Sequence, residues 1–256
     1  MKGKNIKNES FPSIEVIDLF CGIGGLSFGM KSKGFNILAG YDLDATCRYA
    51  YETNNNAKFI YKDIKTVSPD EIRTAYGKGS IRVLAGCAPC QPFSSYAFKN
   101  KKKDPNKYDL LYEFGRLVKA VHPDIVTMEN VAQILSFKEK PVLSDFENLL
   151  KNEGYHVWVN PVYCPDYGIP QTRKRLVLLA SRLGNIELIN PTHKPNEYKT
   201  VKETIGDLPE LKAGETDKND PLHRQNIIAI KSRTSSSYSV RRQLERLAEG
   251  FAIAVS

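Results

Sequence analysis

Apolar and polar residues follow one another along this chain in two rhythms. The run "IEVIDLF" at 14–20 is short, apolar and closed by glycines, which predicts a buried strand. "GGLSFGMKSKG" continues with helical spacing and a glycine stop at Gly34. "FNILAGYD" predicts a second strand, and "DATCRYAYETN" a helix with Asp44 as its N-cap. "KFIYKDI" and "IRVLAGC" predict a third and a fourth strand. Further on, "LLYEFGRLVKAV" is an amphipathic helix, "DIVTMENV" a strand, and "VLSDFENLLKNEGY" a helix ending at Gly154. "HVWVNPVYC" and "RLVLLAS" predict two more strands.

Strands that alternate with helices place the chain in the α/β class, as a doubly wound, mostly parallel sheet covered on both faces. Ligands in such sheets bind outside the carboxyl ends of the strands. Beyond about Ser181 the pattern weakens. Pro, Gly and polar residues dominate 190–226, "SRTSSSYS" reads as loop, and "VRRQLERLAEGFAIAV" has the spacing of a helix that simply stops. The chain therefore divides into an extension (1–13), a main domain (14–181) and an incomplete last part (182–256).

Composition adds direction. With 256 residues, 41% of them hydrophobic, the chain can bury a sizeable core. The start "MKGKNIKNES" lacks the apolar stretch of a signal peptide, and no run approaches the roughly 18 apolar residues of a membrane span. Five cysteines, an odd count, then point to reduced thiols and a cytoplasmic, bacterial or nucleoid-associated location. The net charge of +8 is concentrated: "KNKKKDPNK" (99–107) holds five Lys and one Asp, and "QTRKR" (171–175) holds three cations. Solvated loops would explain both runs, but a polyanionic partner would also draw on them.

Three clusters carry candidate chemistry. Gly22, Gly24 and Gly25 fall between the first strand and first helix, where glycine permits a tight turn and close ligand approach. A dinucleotide fingerprint would place its third glycine at 27, where Ser27 stands, so that pattern fails. Asp42, at the end of the second strand, could accept from ribose hydroxyls, and Asp63, after the third, from an adenine amino group. Such a set suits a nucleoside without a required phosphate.

"GCAPCQPFSSY" carries Cys87 and Cys90. Structural zinc needs four ligands, yet there is no second cysteine pair and the four His are scattered, so no metal is expected. A redox pair is possible, but a single nucleophile at Cys90 is the better reading, reactive if a nearby positive charge favours its thiolate. "TMENVAQI" puts Glu129 and Asn130 at the end of an apolar strand, where a carboxylate must be paired, solvated or protonated. Arg173 and Arg175 precede the last strand, and if that stretch is extended their alternation sends both to one face.

Taken together, "DLFCGIGG", "PCQPFS", "ENV" and "QTRKR" resemble, in order and spacing, the motifs of cytosine-C5 DNA methyltransferases over roughly 14–181. The resemblance implies the Rossmann-like fold of S-adenosylmethionine-dependent methyltransferases, S-adenosyl-L-methionine as cofactor with S-adenosyl-L-homocysteine as product, and double-stranded DNA as substrate. It implies a cofactor pocket of Phe20, Gly22, Gly24, Asp42, Leu43, Asp63, Ile64, Pro89 and Leu110. It implies Cys90 as the nucleophile that adds to C6, Glu129 as the partner of N3 and N4, and Arg173 and Arg175 as holders of base and Glu129. Gln91, Ser94, Asn130 and Gln171 would meet the substrate, and Lys99, Lys101, Lys102 and Lys103 would grip phosphates around a flipped base. A restriction–modification setting goes with that resemblance.

Within 182–256, "TVKETIGDLPEL" and "PLHRQN" resemble the start of the family's target-recognition region, but the rest of that region is missing and no closing Gly-Asn pair occurs after residue 185. The chain is then one polypeptide of a split enzyme, a truncated product, or a non-catalytic DNA-binding subunit; a second polypeptide would supply recognition in the first case. RNA cytosine methylation is an alternative that "PCQPFS" alone admits, although "QTRKR" resembles the DNA branch more.

Overall fold

The computed structural model describes residues 12–89, 109–136 and 141–207, and the backbone of 253–254. Seven strands form one sheet in the order β3-β2-β1-β4-β5-β7-β6. They are β1 (Ile14–Leu19), β2 (Asn36–Asp42), β3 (Lys58–Tyr61), β4 (Ile81–Gly86), β5 (Ile125–Val131), β6 (His156–Tyr163) and β7 (Lys174–Ser181). β1 to β5 run parallel, while β7 lies antiparallel to both β5 and β6. Two residues of β8 (Glu187–Leu188) pair with β9 (Ile253–Ala254) outside this sheet.

The helices are α1 (Gly25–Ser32), α2 (Arg48–Asn55), α3 (Pro69–Ala75), α4 (Asp109–Val121), α5 (Val142–Asn152) and α6 (Val201–Ile205). Period-2 alternation sends Ile17, Leu19, Leu84, Val126, Met128, Leu176 and Leu178 to one face, where Ile72, Phe114, Leu117, Phe146 and Leu150 of α3, α4 and α5 cover them. Val16, Ile37, Val83, Val177 and Leu179 face the other way, against Met30 of α1 and Ile186 and Leu188. Both faces are closed, which is why these strands read as nearly continuous apolar runs.

The structure amends the sequence expectations at several ends. The third strand stops at Tyr61, because Asp63 accepts from the Lys65 N–H at 3.0 Å and turns the chain. Asp44 does cap, with its Oδ1 accepting from the Thr46 N–H, but the element it opens is a 3-10 turn, and α2 starts only at Arg48. Helix α3 was not expected, although Ser68 caps it and Pro69 opens it. Helix α6 carries a reciprocal capping box between Thr200 and Glu203 inside the stretch read as Pro- and Gly-rich loop. Except for Ile253 and Ala254, the stretch read as a final helix lies outside the described residues, as do "SRTSSSYS" and the five-lysine run.

β1 has β2 on one side and β4 on the other, so the order of strands reverses at the β1/β4 seam. That reversal opens a crevice at the carboxyl ends. The glycine turn after β1 and the Cys87 segment after β4 flank it, with Leu19 in register with Gly86.

Candidate active site

The glycine turn is held from below and from the side. Phe20, Gly22 and Gly24 all adopt left-handed backbone, with φ of 59°, 51° and 88°. For Phe20 that conformation costs of order 1–3 kcal/mol, a strain that persists only where the surroundings enforce it. Asp42 supplies part of the enforcement: one carboxylate oxygen accepts from the Gly22 N–H at 2.8 Å and the other from the Asp44 N–H at 2.9 Å. A Cβ at Gly22 would meet nothing within 4 Å, so backbone is open to a ligand there. Leu43 is 55% exposed beside it. Asp63 caps the turn after β3, and Ile64 is buried in the core; its carbonyl accepts from Arg116 at 3.1 Å and from the Val67 N–H at 3.3 Å, which leaves its N–H to a ligand. Pro89 and Leu110 are half-buried, and Leu110 packs on the core.

Beneath the turn lies Asp18, a residue the sequence reading did not single out. It is 1% exposed at the carboxyl end of β1. One of its oxygens accepts from the Ser27 hydroxyl at 2.6 Å, and the other has no partner among the described residues. Burial pushes its carboxyl from 3.8 to about 7, against the pull of the Ser27 bonds, with nearby Asp42 adding to the rise. The available signal was an acid near the carboxyl end of a mostly apolar strand.

A pH dependence follows. The folded carboxyl is raised above its unfolded value, so its contribution to stability is complete below about pH 4 and is lost as pH rises to about 7. The displacement is worth on the order of 4 kcal/mol. Asp18→Asn is therefore expected to unfold at higher denaturant than the parent at pH 8 and at a similar midpoint at pH 4. Equal midpoints at pH 8 would contradict a desolvated carboxyl.

Across the seam stands the second half of the site. Glu129 lies at the carboxyl end of β5, and Arg175 lies at the start of β7. Because β7 runs antiparallel, its first residues reach the edge where the parallel strands end. Register places Val131 opposite Arg175 and Glu129 opposite Val177, so Arg175 and Glu129 are diagonal neighbours on one face. Arg175 Nε meets Glu129 Oε1 at 2.6 Å. Burial raises the Glu129 carboxyl, while the Arg173 charge and a bond from the Cys87 thiol lower it.

Arg173 is exposed and precedes the strand; its N–H donates to the Gln171 carbonyl at 2.8 Å. That turn ends at Arg173, whose carbonyl accepts from the Cys164 N–H at 2.9 Å and so extends the pairing of β6 and β7 by one residue. Gln171 is half-buried in the turn. Asn130, 2% exposed, donates to the Ala88 carbonyl at 3.2 Å and so ties the end of β5 to the segment after β4.

Four cysteines are described, and all four thiols are shifted upward. Burial is the leading cause for Cys21, Cys47, Cys87 and Cys164, with Glu129 second for Cys87. The described residues reach Pro89, one short of Cys90. Cys90, Gln91, Ser94, Lys99, Lys101, Lys102 and Lys103 lie outside them. Among the described residues no group of three or more His, Cys, Asp or Glu could hold a metal, and no helix is long and apolar enough to cross a membrane.

Comparison with known proteins gives these two half-sites a common setting. The profile of C-5 cytosine-specific DNA methylases matches residues 14–251. The chain is 46% identical over 208 residues to the type II methylase M.HgiDII of Herpetosiphon aurantiacus, covering 81% of this chain and 58% of that one. It is 34% identical over 211 residues to the type II methyltransferase M.DdeI of Desulfomicrobium norvegicum, covering 79% and 50%. Among solved structures, a prophage-encoded DNA modification methyltransferase of E. coli superposes with a TM-score of 0.67 at 25% identity, over 81% of this chain and 59% of that one. The S. pombe Dnmt2 methyltransferase shares the fold, with a TM-score of 0.57 at 20% identity, over 75% and 60%.

The chain belongs to the C-5 cytosine-specific DNA methylase family. Its sheet and helices are the Rossmann-like fold of S-adenosylmethionine-dependent methyltransferases. It spans about half to three-fifths of the length of these relatives.

Proposed function

We propose that this chain carries the cofactor-binding and catalytic part of an enzyme that methylates C5 of cytosine in duplex DNA, in a restriction–modification setting. The observation that carries the reading is the Glu129–Arg175 ion pair, fixed at 2.6 Å across the crevice from the glycine turn. One half-site suits a nucleoside, the other a polar heterocycle.

The donor set fits S-adenosylmethionine. Gly22 offers open backbone, and each Asp42 oxygen has a lone pair left after its one N–H bond. Asp63, exposed Leu43 and the backbone of Ile64 complete a nucleoside-sized cradle, and the Asp18 carboxyl provides negative potential below it. When bound, the cofactor supplies an electrophilic methyl carbon on a sulfonium.

The chain's own residues do the rest. Aromatic C5 of cytosine is a poor nucleophile. In this reading the Cys90 thiolate forms a bond to C6, and the C5–C6 π pair moves toward C5. Glu129 hydrogen-bonds N3 and the N4 amino group and offsets charge developing at N3, a role favoured by a carboxyl that burial has raised. Arg175 orients that carboxyl. After methylation the C5 proton leaves to a base, the C6–S bond breaks, and the aromatic ring returns. Duplex stacking hides C6, so the base must be flipped out. Asn130 anchors the Ala88 carbonyl two residues before Cys90 and so fixes the root of the nucleophile's segment.

The span shared with M.HgiDII and M.DdeI is 58% and 50% of their lengths, and we further propose that target recognition draws on sequence of the kind those relatives carry outside the shared span. The test is incubation with labelled S-adenosylmethionine and mixed-sequence duplex DNA, with and without the cognate downstream polypeptide. Label on cytosine C5 only when that polypeptide is present is the expected result. Cofactor binding without label in either arm would overturn the transfer reading and leave a DNA-binding subunit.

A further inference from the structure

Position 27 is where a dinucleotide fold would carry its third glycine, and Ser27 there is fully buried. Its hydroxyl lies 2.6 Å from Asp18 Oδ2 and 3.0 Å from the Tyr51 hydroxyl. Ser27 has one proton, and an ionised Asp18 can only accept. The chain is then ordered one way: Tyr51 donates to Ser27, and Ser27 donates to Asp18.

Tyr51 is itself wedged in place and fully buried. A Cβ at Gly40 would come within 2.3 Å of its ring, and a Cβ at Gly24 within 2.7 Å, so both glycines admit the ring between β2 and the turn. The relay therefore spans β1, α1 and α2 and closes the turn from beneath.

We propose that Ser27, backed by Tyr51, is a positioning residue for the cofactor: its bond to Asp18 locks the strained 20–25 turn and holds a negative group under the crevice. The proposal rests on the cofactor reading above. A glycine at 27 would serve packing alone. A serine adds a bond to a buried carboxyl whose desolvation the fold otherwise resists. The groups facing Asp18 are Ser27 from α1, Tyr51 from α2, Cys21 of the turn, Asp42 from β2 and Cys87 after β4. None of these, among the described residues, is cationic, so a bound sulfonium would add positive charge to the cluster. Ser27 lowers the carboxyl's pKa, and its removal moves ionisation to higher pH.

The experiment is calorimetric titration of the full chain with S-adenosylmethionine from pH 6 to 9, in the parent, Ser27→Ala and Tyr51→Phe, with the melting midpoint of each ligand-free protein. In the parent, affinity should rise with pH through about 7 as Asp18 ionises. Ser27→Ala should bind about tenfold more weakly and show that rise at higher pH; Tyr51→Phe, which keeps the Ser27–Asp18 bond, should show a smaller displacement in the same direction with about a threefold loss. A role in packing alone predicts lower midpoints with unchanged affinity and pH profile, and that result would overturn the proposal. Should Ser27→Ala fail to fold, Tyr51→Phe decides in the same way. A parent chain that binds no S-adenosylmethionine at any pH would instead overturn the cofactor reading, and this inference with it.

Discussion

Cys90→Ala should abolish covalent capture on duplex DNA containing 5-fluorocytosine, and methyl transfer with it, by more than about 10⁴-fold. Cys87→Ala should keep the capture. The two residues share one C-A-P-C stretch, so sequence alone barely separates them. The surroundings of Cys87 argue against it as the nucleophile. The Cys87 thiol is buried against the end of β4 and bonds Glu129, whose charge opposes a second negative group there. A thiol held that way is a hydrogen-bond donor and a poor nucleophile. Cys21, Cys47 and Cys164 are likewise raised by burial. Fluorine at C5 cannot leave as the proton does, so an adduct formed by attack at C6 persists and is seen as a denaturant-resistant shift on a gel. Capture by Cys90→Ala, or its loss in Cys87→Ala, would place the nucleophile elsewhere.

The parts of the fold legible in advance were those fixed by local pattern. The strands β1, β2, β4 and β5 and the helices α1 and α4 follow from apolar period and glycine stops. The site was legible only in pieces, because its geometry depends on non-local pairing. "QTRKR" reads as a basic block leading into a strand. Nothing local shows that the strand runs against its neighbours, which is what carries Arg175 to the edge where Glu129 ends. Ser27 is a sharper case. It was legible as a missing glycine and thus as a failed fingerprint, whereas its meaning depends on Asp18 nine residues earlier and Tyr51 twenty-four later. Helix α3 was missed although its cap is local, because only Ile72 of its seven residues is buried and the apolar period is too short to register.

Asp18 and Glu129 also show a common cost. Each is a carboxyl that burial destabilises in its charged form, one beneath the turn and one across the crevice. A fold selected for stability alone would replace both with apolar residues. That both sit at carboxyl ends of strands around the crevice links the expense to ligand chemistry, and it makes their removal informative.

Glu129→Gln is accordingly expected to slow formation of the fluorocytosine adduct by about 10²–10⁴-fold, the usual span for a proton-transferring group. Glutamine keeps the shape and can still bond N3 and N4, so cofactor affinity and melting midpoint should change little. Arg175→Met should cost about 10²-fold by a different route: the carboxyl loses the partner 2.6 Å away that fixes its orientation. Sign follows from charge. Burial already raises the Glu129 carboxyl, and taking away the Arg175 guanidinium 2.6 Å from it raises it further, so the acid form persists to higher pH. The alkaline limb of the adduct rate should therefore move up in Arg175→Met and vanish in Glu129→Gln. The double variant should be little worse than Glu129→Gln alone, because Arg175 acts through that carboxyl. Fully additive losses, or an alkaline limb that stays in place, would show that Arg175 serves the base directly and that the ion pair is incidental.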